Sequence, residues 1–161
     1  MKFAFYIVLA AIVLALVAAQ VGLLSGQQPA DLGVKDGRLK PPSRTRNSVS
    51  SQSPLYPDHP QRGYAAIEPL PFKAGGPADS MRSLDGVLRA MPGVTVVEQR
   101  ADYLYAQAQT RWLKFVDDLE FWANPASGAI ELRSGSRLGR EDFGVNRKRI
   151  EAIRAAYRVA P

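Results

Sequence analysis

Phe115-Val116-Asp117-Asp118-Leu119-Glu120-Phe121-Trp122 is the stretch whose reading decides the fold. Acidic and apolar residues are interleaved here, and successive side chains of a strand point to opposite faces. Asp117, Leu119 and Phe121 then share one face, and Asp118, Glu120 and Trp122 share the other. Asn124-Pro125-Ala126-Ser127-Gly128 is a hairpin turn, and Ala129-Ile130-Glu131-Leu132-Arg133-Ser134 is the returning strand. That hairpin brings Ile130 to Arg133 alongside Trp122 to Leu119. Upstream, Val94-Thr95-Val96-Val97-Glu98 and Tyr103-Leu104-Tyr105-Ala106-Gln107-Ala108-Gln109 also have the period of strands.

The flanking segments change period. Met81, Leu84, Leu88 and Met91 recur every three or four residues, which predicts one face of a helix capped by Asp79 or Ser80 and stopped by Pro92-Gly93. Residues 73–77 predict a turn, and residues 64–70 a short edge strand ended by Pro69. Residues 146–160 predict a second helix, with Ile150, Ile153 and Tyr157 on one face. The expected fold class is α+β: an antiparallel sheet of four to five strands with two helices packed on one side.

An apolar run precedes this domain. Residues 3–24 read FAFYIVLAAIVLALVAAQVGLL, in which Gln20 is the one strongly polar residue. About 20 apolar residues cross the roughly 30 Å of bilayer hydrocarbon as a helix. The expected organisation is a membrane anchor over residues 1–25, a Pro/Ser-rich segment over 26–62 and a globular domain over 63–161. A signal peptide cleaved after Ala19 is the alternative reading. The short N-terminal flank suggests a signal-anchor with the domain on the extracytoplasmic, periplasmic side of an inner membrane. As a free linker, residues 26–62 would let the domain stand off that membrane.

Composition excludes several chemistries. The 161 residues contain no cysteine, so disulfides, thiolate metal sites and cysteine nucleophiles are absent. The single histidine, His59, lies between prolines in a loop, which excludes a polyhistidine zinc site. No metal and no cofactor are expected. The net charge is +6, concentrated in two patches. One holds Lys35, Arg38, Lys40, Arg44 and Arg46; the other holds Arg133, Arg137, Arg140, Arg147, Lys148, Arg149 and Arg154. Nucleic acid is not expected as a partner; it would need the opposite orientation in the membrane.

Two places could carry chemistry. Asp117 is a carboxylate on an otherwise apolar face, which is costly unless paired. Arg133 and Arg137 are its expected counter-ions. The stretch from Ser134 to Arg149 combines glycines, charge and a helix start, a setting in which backbone N–H groups and arginines can hold an anion. It lacks the spacing of a Walker loop. In the plainer reading, Asp142 and Asn146 simply cap the helix. The candidate ligand-binding residues are Asp117, Arg133, Ser136, Arg137, Asn146 and Arg147. Calcium held by Asp118, Glu120 and Asp142 has no loop signature behind it.

Several of these motifs together resemble the DUF1499 family, small exported or membrane-anchored domains of unknown function. They are Leu32-Gly33 with Gly37-Arg38-Leu39, the stretch Asn47-Ser48-Val49-Ser50-Ser51-Gln52, the Phe115 strand, Arg133-Ser134-Gly135-Ser136-Arg137-Leu138-Gly139, and Asp142-Phe143-Gly144-Val145-Asn146-Arg147-Lys148-Arg149-Ile150. The resemblance runs over residues 32–157. It implies that part of the stretch around Asn47 docks on the domain. It also implies that the positions of the cysteine pair often found there are Pro42 and Ser48 in this chain. It supplies no reaction and no catalytic residue. The leading expectation is therefore a membrane-held domain that binds or scaffolds, contacting an anionic small molecule or an envelope protein. The second is a hydrolase-like enzyme using Asp117 or Asp118 with Arg133 and Arg137.

Overall fold

A computed structural model describes residues 2–161 of the chain. Helix α1, Lys2–Gln20, is apolar all round and exposed over most of its length, with Ala19 buried. It is long and apolar enough to cross a membrane, a test that a signal sequence also passes. Six strands follow: β1 (Ser48–Ser50), β2 (Leu70–Pro71), β3 (Val94–Gln99), β4 (Tyr103–Gln109), β5 (Val116–Asn124) and β6 (Ala129–Ser136). A short helix α2 (Arg62–Ala65) and the two longer helices α3 (Gly76–Ala90) and α4 (Val145–Val159) complete the fold. The class is α+β, with six strands where four to five were expected.

All strand pairs are antiparallel, in the order β1-β6-β5-β4-β3, and β2 lies beside β1 along the same edge of β6. β5 is central, and all nine of its residues are buried. A strand with both faces covered must satisfy two different surroundings. On one face Leu119 and Phe121 join Leu104, Leu132, Leu84, Leu88, Ile150 and Ile153 beneath α3 and α4. Each such side chain contributes about 1.5–3 kcal/mol by leaving water. On the other face Trp122 packs with Tyr103, Tyr105 and Leu39, flanked by Leu32 and Val34.

Leu32, Val34 and Leu39 come from the segment that composition suggested was a linker. Ser48–Ser50 pairs with β6, and the Leu39 backbone N–H donates to Gln52 Oε1 at 2.8 Å. Residues 27–42 lie over the second sheet face as a cover. Gly26 makes that path possible: a Cβ there would fall 2.8 Å from Arg137 Cβ.

Local departures from expectation have local causes. α3 begins at Gly76, inside the expected turn, because Pro77 in the first helical turn gives up an N–H that would have no partner anyway. The expected strand over 64–70 is the short helix α2 followed by the two-residue β2. The hairpin register is one residue from the expected one: Arg133 pairs with Glu120 and Ile130 with Ala123. A one-residue slip exchanges the faces. It places Arg133 on the Asp118–Glu120 side and away from Asp117.

Leu39 is 2% exposed. Replacing it by alanine is expected to cost about 2–5 kcal/mol in urea unfolding of the full chain. An unchanged midpoint would mean that residues 27–42 do not cover the sheet.

Candidate functional site

The expected site residues separate onto the two sides of the sheet. On the helix side, Asp117 Oδ2 accepts from Arg149 Nη2 at 2.6 Å, so Arg149 is its counter-ion and Arg133 and Arg137 are not. Asn146 is fully buried, and its amide donates to the Asn47 carbonyl at 3.2 Å and to Ser136 Oγ at 3.0 Å. Arg147 donates to the carbonyls of Tyr64 and Ala66, at 2.6 and 2.8 Å. These three residues hold the chain together. Asp117 and Asn146 are buried, and Arg147 is half-buried beside a separate surface pocket with Ser51, Ala66 and Glu68.

The start of α4 offers no room for an anion, because the protein's own carboxylate is already there. Asp142 Oδ1 accepts from the Gly144 N–H and Oδ2 from the Asn146 N–H, each at 3.0 Å. Tyr64 donates its hydroxyl to Asp142 as well. Burial alone would raise the Asp142 carboxyl, but the bonds from Tyr64, Asn146 and Gly144 outweigh it and hold it below the ordinary range. Burial, with the Asp142 bond second, pushes the Tyr64 hydroxyl up to about 12. Asp142 is thus tied to the start of α4 and to Tyr64, and it does not join Asp118 and Glu120 in a cluster. Among the described residues, no group of three His, Asp or Glu side chains could hold a metal ion.

The second face is different. Its charged residues, which alternation alone would leave in water, are buried beneath the cover. Glu120 is fully buried and Asp118 is 1% exposed. Arg137 grips Asp118 with Nε at 3.1 and 3.0 Å from the two carboxylate oxygens and Nη2 at 2.7 Å from Oδ1. Such two-pronged pairing is geometrically specific. Tyr105 also donates to Asp118 Oδ1 at 2.6 Å. Burial first, and this bond second, push the Tyr105 hydroxyl up to about 12.

Glu120 and Arg133 are less completely matched. Glu120 Oε1 accepts from the Gly33 N–H at 2.7 Å and from the Tyr103 hydroxyl at 2.9 Å. Oε2 has no hydrogen-bond partner among the described residues, and Arg133 Nη1 stands 3.8 Å away. Burial raises the Glu120 pKa, and the Gly33 N–H, Arg133 and Tyr103 pull it back only in part. Arg133 is 5% exposed, and its side chain makes a single protein hydrogen bond among the described residues, from Nε to the Pro41 carbonyl at 3.3 Å. Burial lowers its pKa against the pull of Glu120 and Asp118. A guanidinium nonetheless stays charged in proteins.

The space beside Arg133 is a cavity of about 200 Å³. Lys40, Ser43, Asp118, Gly135, Ser136 and Arg137 are among its walls. Gly135 keeps it open: a Cβ there would lie 3.0 and 3.2 Å from the two Arg133 terminal nitrogens. Three cations thus meet one carboxylate that Arg137 already engages. Lys40 has a partner in Asp31 at 2.6 Å on its outer side. A larger groove of about 800 Å³ runs beside α3 and the C-terminal residues, but no buried charge lines it. The small cavity is the better candidate because it contains a buried cation with unmatched donors.

Arg133, Ser136 and Arg137 of the expected set converge here. Lys40, Gly135 and Asp118 complete the site and were not among the expected binding residues. Sequence carried one signal for them, the alternation that puts Asp118 and Glu120 beside Trp122.

A family profile described as a protein of unknown function matches residues 38–157. The chain belongs to the DUF1499 family. No curated protein and no solved structure matches it. The DUF1499 span takes in Lys40, Asp118, Arg133, Gly135 and Arg137, so the cavity is built almost wholly from the family domain. Helix α1 and residues 27–37 of the cover lie outside that span.

The raised Glu120 pKa fixes the sign of a pH effect. A group protonated more readily in the folded state loses stabilising effect as pH rises from its ordinary value, 4.5, through its folded value. Glu120→Gln removes that one titration and leaves the others in place. Wild-type stability is therefore expected to fall relative to Glu120→Gln as pH rises above 4.5, read from urea midpoints at a series of pH values. A difference that does not change with pH would remove the buried, penalised carboxylate from the description.

Proposed function

We propose that this DUF1499 protein is a membrane-anchored binding domain on the extracytoplasmic side. Its cavity takes a small anionic group, a phosphate or carboxylate, on Arg133, Arg137 and Lys40. The observation that carries the reading is Arg133. It is buried, its terminal nitrogens have no acceptor among the described residues, and it borders a polar cavity. Donors that open onto a cavity are satisfied there by water or by an anion that takes its place. The cavity is below the range of drug-sized pockets, about 300–1,000 Å³, and suits a headgroup-sized anion.

The hydrolase reading has less support. Asp117 and Asp118 lie on opposite faces of β5, and each is held by its own arginine. His59 Nδ1 accepts from the Gln61 N–H in a separate loop pocket.

Titration calorimetry of the full chain in detergent with inorganic phosphate and glycerol phosphate tests the site. The double variant Glu120→Gln/Arg133→Gln keeps the buried pair neutral and is expected to stay folded while losing binding. Losing charge-assisted bonds of about 1.5–3 kcal/mol corresponds to a dissociation constant weaker by roughly ten- to hundredfold. Equal binding by the folded double variant, or no heat with either ligand, would reject the anion reading. For orientation, a membrane-impermeant maleimide is expected to label Asp58→Cys, an exposed position in a chain without native cysteine, on intact cells. Labelling seen only after lysis would place the domain on the other side.

A further inference from the structure

The turn between β4 and β5 carries Arg111-Trp112-Leu113-Lys114. It is held shut at its base: the Thr110 N–H donates to the Phe115 carbonyl at 2.9 Å, and the Phe115 N–H donates to Thr110 Oγ1 at 3.0 Å. Trp112 at the tip is 66% exposed, and Leu113 and Phe115 beside it are 37% and 36% exposed. The other tryptophan, Trp122, is buried in the sheet. Two apolar side chains and an exposed indole on a pinned turn are unusual on a water-facing surface.

This turn stands beside the end of α1. Gln20, the last residue of α1, donates its side-chain amide to the Trp112 carbonyl at 3.4 Å. Residues 21–26 alone separate α1 from the cover, and Gly26 packs against Arg137 and Leu138. Val21 and Leu23 in that link are 67% and 71% exposed, and Leu138 is 43% exposed. The end of α1, the Trp112 turn and Leu138 are thus grouped at one end of the sheet. Arg111 stacks over the Trp112 ring at 5.0 Å, and Lys114 follows two residues later. Indole rings flanked by cationic side chains suit the boundary between headgroups and acyl chains, with the ring in the apolar layer and the charges at the phosphates.

We propose that the Trp112 turn, with Leu138 and the Val21–Leu23 link, inserts into the headgroup layer of the bilayer that α1 spans, so that the domain rests on the lipid surface and does not hang from a tether. This rests on α1 being a membrane span. It is independent of what the cavity binds.

The test uses the full chain in vesicles of phosphatidylcholine and phosphatidylglycerol, with the lipids brominated either near the headgroup end of the acyl chain or not at all. Wild-type emission is expected to be quenched by shallow bromines, and the quenched component is expected to vanish in Trp112→Phe, an exchange at an exposed position. Adding Ile12→Trp, at the middle of α1, to the Trp112→Phe chain reports the span separately, through lipids brominated deep in the chain. If the indole introduced by Ile12→Trp is quenched while wild type and Trp112→Phe respond alike to shallow bromines, the docking proposal is overturned and the anchor stands. If neither site is quenched, the anchor and the docking both fail. A Trp112 shielded equally with and without bromine, in vesicles where the chain crosslinks to itself, would assign the turn to a second copy and overturn lipid docking.

Discussion

A charged pair buried where a sheet would ordinarily meet water governs this structure. Glu120 and Arg133 sit opposite each other on β5 and β6, on the face away from the helices. Two ions cannot be left half-hydrated beneath aromatic neighbours without cost, and their attraction at 3.8 Å does not by itself offset desolvation. The fold answers with a cover. Residues 27–42 supply the Gly33 N–H to Glu120 and the Pro41 carbonyl to Arg133, and they add Leu32, Val34 and Leu39 to the aromatic cluster. The cover, the cavity and the closeness of the domain to α1 all follow from satisfying that pair.

The second basic patch follows a related logic. Arg147 and Arg154 look like surface charge in the sequence, yet they donate to the carbonyls of Tyr64, Ala66, Glu68 and Pro69. The last three of those carbonyls belong to the irregular connection that follows α2, with prolines at 69 and 71. Such a connection has no ladder of its own to satisfy its acceptors, and buried acceptors must be satisfied. Arginines from α4 do it. Part of the positive charge that the sequence offers to a partner is thereby engaged inside the molecule, while Lys40, Arg133 and Arg137 border the small cavity beneath the cover.

What the sequence made legible were the regular parts. The alternation in β4 and β5, the Asn124-to-Gly128 turn and the apolar stripes of α3 and α4 each reflect a period that one residue type can display. The cover was hard to read because its three apolar anchors, Leu32, Val34 and Leu39, are spaced with no period and stand among Pro, Gly and charge. The counter-ion of Asp117 was misread for a sharper reason. The hairpin is displaced by one residue from the expected pairing, and that displacement sends Arg133 to the other face and leaves Asp117 to Arg149. Register depends on the whole sheet, and a single strand's pattern does not contain it.

The edge pairing of β1 has a consequence in time. Ser48 meets Gly135, and Ser50 meets Arg133, so the chain's early segment closes onto its last strand. Long-range closures of this kind come late because the intervening chain must be ordered first. During synthesis the cover is made long before its sheet exists, and it emerges next to an apolar helix already seeking lipid. Leu32, Val34 and Leu39 must wait, unsheltered, until β6 arrives. The polar, proline-rich character of the residues around them keeps that waiting segment soluble and extended, which makes its composition a requirement of assembly as much as of the finished fold.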